Sequence, residues 1–301
     1  MKSIKIYALT LGLLAVFAGC QNDVVKPLEN DKEAPAPVRD VTYTKMSGSV
    51  LLTYTLPSDP DLLYVAASYT NKAGKKYEFK ASYFTNTLLV EGFGDTDTYS
   101  LDVYAVDRSE NYSEPVNIQV AADTPPVQAA YETLEVQPDF GGMTFSFDNA
   151  SKADLTVYVS TPNADNEMAN AETFYTGLAK ATFSVRGFLD VPRDFEICFE
   201  DKWGNRSPVK KENLTPIYEA ELDKKKFKEV ILPGDFPCTF YESKMEYIWD
   251  GRAAADGDGQ TGAHTGIEEH DGPTWFTFDL GVLVKLSRFN LKFVQDDKHF
   301  Y

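Results

Sequence analysis

The chain is 301 residues long, 13% aromatic and 43% hydrophobic, and carries a formal charge of −17. That aromatic and apolar content excludes a disordered chain, and the length predicts two or three domains. A surface this acidic repels phosphate backbones and anionic lipid headgroups, which argues against nucleic acid as a partner and against electrostatic adsorption to a membrane.

The chain opens with Lys2 and Lys5, an apolar run from Ile6 to Ala18, and Gly19-Cys20. Such a run is shorter than the roughly 20 residues a membrane span needs and fits the core of an export signal. "VFAGC" resembles the lipobox of bacterial lipoproteins. The resemblance implies a signal peptide over 1–19 and a diacylglycerol on the Cys20 sulfur, a stable anchor once two or more acyl chains are present. Residues 20–34 are polar and proline-bearing, which predicts a flexible tether. Asp23 close behind the lipidated cysteine resembles the surface-export signal of Bacteroidetes lipoproteins, implying outer-membrane, cell-surface display.

An internal repeat follows. "VEGFGDTDTYSLDVYAVDRSENYSEPV" from Val90 aligns with "VRGFLDVPRDFEICFEDKWGNRSPV" from Val185, so that Gly92-Phe93 meets Gly187-Phe188 and Asp107, Asn111 and Ser113 meet Asp201, Asn205 and Ser207. A period near 95 is a domain length, and it predicts two tandem homologous domains over 35–124 and 125–217. Both alternate with a period of two. Val50, Leu52, Tyr54 and Leu56 share a face, as do Val65, Ala67 and Tyr69, Leu88 and Val90, and Leu101, Val103 and Ala105. In the second copy Met143, Phe145 and Phe147 share one, as do Leu155, Val157 and Val159, and Phe195, Ile197 and Phe199. Alternation with turn residues about every ten positions predicts antiparallel sandwiches. No segment after the signal shows a convincing amphipathic helix.

The order of features in "APAPVRDVTYTKMSGSVLLTYTLPSDPDLLYV" and "TYSLDVYAVDRSENYSEP" resembles fibronectin type III domains, with Tyr54 where that family carries a tryptophan. The fold class is therefore all-β: two Ig/fibronectin III-like sandwiches, the second diverged. The loops "DRSENYS" and "DKWGNRS" admit two readings. Tyr112 and Trp203 offer flat faces on which a sugar ring can stack. Alternatively, Asp and Asn simply build the turn through side-chain bonds to the backbone, as their repetition suggests. Trp203, which Ser109 replaces in the first copy, is the more site-specific of the two.

From about residue 218 a new pattern begins. Asp250-Gly251, Thr261, and "WFTFDLG" from Trp275, followed by Leu286 to Phe293, resemble the first half of a discoidin, or F5/8 type C, domain. Residues 218–301 supply only part of such a jelly roll, so an incomplete domain is expected. Trp249 and Trp275 are expected in its core. Domains of this kind hold calcium in an early loop, which makes Asp250, Asp256 and Asp258 the candidate ligands; the other reading of "DGDGQTG" is a solvated turn. It is no EF-hand, because Thr261 and Ile267 stand where Gly and Glu are required. His264 and His270 match no zinc-binding spacing. With Cys20 acylated, Cys198 and Cys238 remain, and they are expected to be semi-buried and unpaired rather than bridged.

The chain contains no hydrolase elbow, phosphate loop, dinucleotide fingerprint or Cys-x-x-Cys, and tandem sandwiches leave little room for the cleft that a glycosidase's paired carboxylates need. The expectation is a non-catalytic surface lipoprotein that binds a polysaccharide or oligosaccharide. Its resemblance to modular Bacteroidetes lipoproteins implies membership of a polysaccharide-uptake system alongside outer-membrane transporter components. The alternative is a protein-binding scaffold or adhesin, since these folds host both uses.

Overall fold

The computed structural model describes residues 30–239, 243–251, 263 and 273–290. Cys20, the signal segment, and Asp256 and Asp258 of the calcium expectation lie outside the described residues.

Seven strands build the first sandwich: β1 (Arg39–Met46), β2 (Ser49–Thr55), β3 (Leu62–Thr70), β4 (Lys76–Ser82), β5 (Thr87–Glu91), β6 (Thr98–Asp107) and β7 (Val116–Ala121). They form a three-stranded sheet β1-β2-β5 facing a four-stranded sheet β4-β3-β6-β7. The second sandwich repeats this with β8 (Glu135–Asp139), β9 (Gly142–Asp148), β10 (Leu155–Pro162), β11 (Met168–Thr176), β12 (Lys180–Arg186), β13 (Arg193–Asp201) and β14 (Lys210–Leu214), ordered β12-β9-β8 and β11-β10-β13-β14. All pairings within these sheets are antiparallel. Both units are all-β sandwiches of the fibronectin type III kind.

The alternation explains the cores. Val50, Leu52, Val65, Ala67, Leu101, Val103 and Ala105 are 0% exposed in the first core, and Val157, Val159 and Phe199 likewise in the second. Tyr54, in the position of the missing tryptophan, is buried with its hydroxyl donating to the Thr87 carbonyl at 3.3 Å. A buried polar tip needs such a partner, and burial pushes this phenol up to about 12.

The alternation fails in one informative place. Ala66 and Ser68 point outward on β3 yet are buried. Ala66 lies between Lys80 of β4 and Tyr104 of β6, and Ser68 between Glu78 and Asp102, so long neighbours on both sides cover a floor of small residues.

Contrary to the absence of helix expected from the sequence, α1 (Pro126–Glu132) joins the sandwiches. Pro126 suits the first helical turn, and Val127 and Ala130 enter the second core. Seven residues are too few to display a helical period.

Beyond residue 217, β15 (Lys228–Val230) pairs with β16 (Thr277–Asp279), and short 3₁₀ turns occupy Lys224–Lys226 and Met245–Ile248. Phe227, Trp249 and Phe278 pack their rings within 5.8 Å of one another. The Asp-Leu-Gly element has a local cause: Asp279 Oδ1 accepts from the Gly281 amide at 2.8 Å. Gly281, at φ +68°, lies so near Lys226 that a Cβ would meet its carbonyl at 2.5 Å. The sheets of a jelly roll are not among the described residues. Trp275, expected in a core, is 62% exposed; it stands two residues before the three-residue β15–β16 pairing, and its carbonyl accepts from the Phe236 amide at 2.8 Å. Cys198 and Cys238 are both free, and burial raises the Cys238 thiol.

Candidate functional site

The duplicated loops share one design. In the first, Asp107 Oδ1 accepts from the amides of Ser109 and Asn111, both at 2.8 Å, and Asn111 Nδ2 donates back to Asp107 Oδ2 at 2.9 Å. In the second, Asp201 Oδ1 accepts from Trp203 and Asn205 at 2.9 and 3.0 Å, and Asn205 Nδ2 donates to Asp201 Oδ2 at 2.9 Å. Ser113 and Ser207 then each accept an amide from the facing strand at 3.0 Å. Asp and Asn therefore build the turn, and the residue types are those a side-chain-stapled turn demands.

What each loop touches differs. Trp203 reaches into the first sandwich and packs against its core. Its ring meets Tyr77 edge-on at 5.5 Å and Phe79 at 5.6 Å, and a Cβ on Gly92 would lie 3.1 Å from it. Tyr77 donates to the Trp203 carbonyl at 3.3 Å, Asn205 Nδ2 to the Gly92 carbonyl at 3.3 Å, and Lys202 pairs with Glu91 at 3.2 Å. The Lys202 ammonium also lies over the indole, 5.0 Å from the ring centroid. Trp203, read from the sequence as a free aromatic face, is thus the plug of a joint between the sandwiches.

Tyr112 stands elsewhere, on the outer face of the first sandwich. Its hydroxyl shares a hydrogen bond with that of Tyr64 at 3.4 Å, and its ring meets Tyr104 at 5.6 Å with planes 79° apart. Lys80 donates to Tyr64 at 3.2 Å, lies 4.6 Å from that ring's centroid and pairs with Glu78 at 3.2 Å. The rungs explain the grouping. Tyr64 sits two rungs from Ala66 on the same face, Ala66 is flanked by Lys80 and Tyr104, and the loop after β6 folds back so that Tyr112 bridges to Val106. Tyr112 is 43% exposed, and Phe84, just beyond β4, is 82% exposed.

The hydrogen bond with Tyr64, then burial, pushes the Tyr112 phenol up to about 12, and burial with Asp102 and Glu78 nearby raises Tyr104. Bonds to Tyr64 and Glu78 raise the Lys80 ammonium. At neutral pH this face therefore presents protonated hydroxyls, aromatic rings, a fixed cation and carboxylates over a floor of Ala66 and Ser68. Such a surface can stack on C–H faces and satisfy hydroxyls. The sequence pointed to Tyr112 alone. Tyr64 and Tyr104 were visible as outward members of alternating strands, but only the register brings them together.

A second grouping lies at the tether end. Carboxylate oxygens of Asp31, Asp61 and Asp107 lie within 4.8 Å of one another, and Asn111 donates to Asp31 at 3.2 Å. This is the arrangement among the described residues with ligand types and spacing for a cation, and it is remote in sequence from Asp250, the one described member of the calcium expectation.

Residues 35–122 match the family model of a domain of unknown function, DUF4959, and residues 123–225 that of a second, DUF5126. No curated protein matches the chain. Among solved structures, the SusE-like protein BT2857 is 28% identical over 52% of this chain and 56% of its own, with a TM-score of 0.32. The chain thus spans little more than half of that protein's length. A two-domain fibronectin type III segment of chicken tenascin is 15% identical over 60% of this chain and 99% of its own, with a TM-score of 0.29. The FN1–FN3 domains of chicken CNTN1 are 11% identical over 61% of this chain and 68% of their own, with the same TM-score of 0.29.

Proposed function

We propose that this chain is a non-catalytic, lipid-anchored protein of the outer-membrane surface that binds carbohydrate through the tyrosine face of its first sandwich, as part of a polysaccharide-uptake system. The observation carrying this reading is the convergence of Tyr64, Tyr104, Tyr112 and Lys80 on an exposed sheet face. Buried tyrosines serve packing, but these rings lie outside the core cluster. The lipobox-like "VFAGC" and the tether over 20–34 would hold that face above the membrane. The test is migration of the lipid-free chain through native gels containing neutral polysaccharides, with and without EDTA. Retardation that falls about tenfold in affinity in Tyr104→Ala or Tyr112→Ala supports the reading, since truncating an aromatic anchor typically costs that much. Retardation unchanged in both variants removes the tyrosine face from the account. Loss in EDTA would bring calcium into the site.

A second reading, a protein-binding scaffold, is favoured by the exposed apolar residues Leu283, Leu286 and Phe289, at 100%, 58% and 65% exposure. Exposed apolar side chains, where they adjoin, mark contact surfaces. Co-purification of an outer-membrane transporter component that Leu283→Asp abolishes, with no polysaccharide retained, would favour it.

A further inference from the structure

The tyrosine cluster is not copied in the second sandwich. Arg206 stands at the bridge position of Tyr112, stacked 5.3 Å from the centroid of Tyr158 and paired with Glu200 at 2.6 Å. A different feature occupies that end of the sheet. A cleft of about 410 Å³ opens where β10, β11 and β13 end side by side, lined by Asp154, Thr156, Tyr175, Gly177, Asp201 and Lys202. Tyr175 faces Thr156 across the β10–β11 pair, the rung on which the first sandwich sets Ser82 against Tyr64. The ring is 77% exposed, far more than packing would leave it. Asp154 lies close against the turn at Gly177, where a Cβ would meet its Oδ1 at 3.2 Å and close that wall. Lys202 lines the cleft while its ammonium is held by Glu91 of the first sandwich.

We propose that this cleft is a second carbohydrate subsite, taking one pyranose unit of a neutral polysaccharide stacked on Tyr175, with Asp154 and Thr156 holding its hydroxyls and Lys202 shaping its wall. The volume sits near the low end of the roughly 300–1,000 Å³ of small-ligand sites, which suits one sugar unit rather than a drug-sized molecule. An exposed aromatic beside a carboxylate and a hydroxyl is the mixture that recognises a polyol with one apolar face. Asp201 is spent on its own turn and contributes shape alone. The proposal rests on the carbohydrate reading and adds a second point of contact, so that one polymer engages both sandwiches and gains avidity.

The test is affinity electrophoresis of the full lipid-free chain in soluble starch, dextran, galactomannan, xylan and mixed-linkage β-glucan. Tyr175→Ala is solvent-exposed and leaves folding intact, which far-ultraviolet circular dichroism checks. The expected result is an affinity loss of about tenfold in Tyr175→Ala, a smaller loss in Asp154→Asn, and a greater loss in Tyr104→Ala/Tyr175→Ala than in either single variant. Wild-type retardation in both Tyr175→Ala and Asp154→Asn, with loss in Tyr104→Ala, overturns the cleft and leaves the tyrosine face standing. Loss in Tyr175→Ala with none in Tyr104→Ala establishes the cleft and overturns the tyrosine face. Free migration of the wild type in all five polysaccharides overturns both.

Discussion

Replacing Trp203 with Ala should uncouple the two sandwiches while leaving each folded. The joint has three kinds of contact, and their magnitudes are unequal. The Lys202–Glu91 pair is exposed at 54% and 32%, and pairs of that kind contribute roughly 0–1 kcal/mol. The hydrogen bond from Asn205 to the Gly92 carbonyl contributes about 1 kcal/mol. Trp203 makes two aromatic contacts, with Tyr77 and Phe79, each worth about 0.5–1.5 kcal/mol beyond its buried area. Truncating a fully buried Trp costs about 3–5 kcal/mol, so a half-buried one at a joint should cost about 2 kcal/mol, close to a thirtyfold shift from docked to undocked. Small-angle scattering should show a broadened distribution of maximum dimension, and thermal unfolding should split toward two transitions. Lys202→Ala should change neither. Scattering and a single transition indistinguishable from wild type would refute the claim that Trp203 holds the joint.

Gly92 and Gly187 both have φ in the left-handed region, +89° and +102°, but only a Cβ on Gly92 would strike Trp203. Each Gly→Ala should cost about 1–2 kcal/mol in strain, with an additional loss of docking for Gly92 alone; equal behaviour in scattering would refute the contact. Asp107→Ala and Asp201→Ala each remove a carboxylate accepting three hydrogen bonds, and each should lower the urea midpoint by an amount equivalent to about 1–3 kcal/mol. Burial pushes the Asp95 carboxyl up, but bonds from Lys72, the Asp97 amide and Tyr99 outweigh it and hold the group below its ordinary value of 3.8. A depressed carboxylate stabilises the fold above its unfolded value and loses that contribution as pH falls through the folded one. Asp95→Asn should therefore be less stable than wild type at about pH 6, with the gap closing as pH falls below 3.8; a gap independent of pH would count against the ion pair.

The cores were legible because burial has a period. Val50 through Leu56 and Phe195 through Phe199 alternate in sequence for the same reason they alternate in the sheet, where successive side chains take opposite faces. The joint was not legible, although both of its halves were. Gly92 was readable as a repeated glycine and Trp203 as an unrepeated aromatic, yet nothing local says that a plug in one domain fills a notch left by a missing side chain in the other. The same limit hid the candidate site. Tyr64, Tyr104 and Tyr112 lie on two strands and a loop, and their meeting depends on register, which turn geometry and core packing set rather than the tyrosines themselves. Besides Tyr112 itself, the small residues Ala66 and Ser68 on a central strand are a trace of it in the primary structure. Small residues outward on a central strand leave room, and room on a sheet's outer face is filled either by long neighbours or by a ligand. Here Lys80 and Tyr104 fill it over Ala66, which is 1% exposed, while Tyr112 beside them stays 43% exposed. A substitution that separates these tasks is Ala66→Val. It should push Lys80 and Tyr104 apart and weaken sugar binding without disturbing the core face of β3, where Val65 and Ala67 are buried. Binding unchanged in that variant would mean that the floor is packing alone.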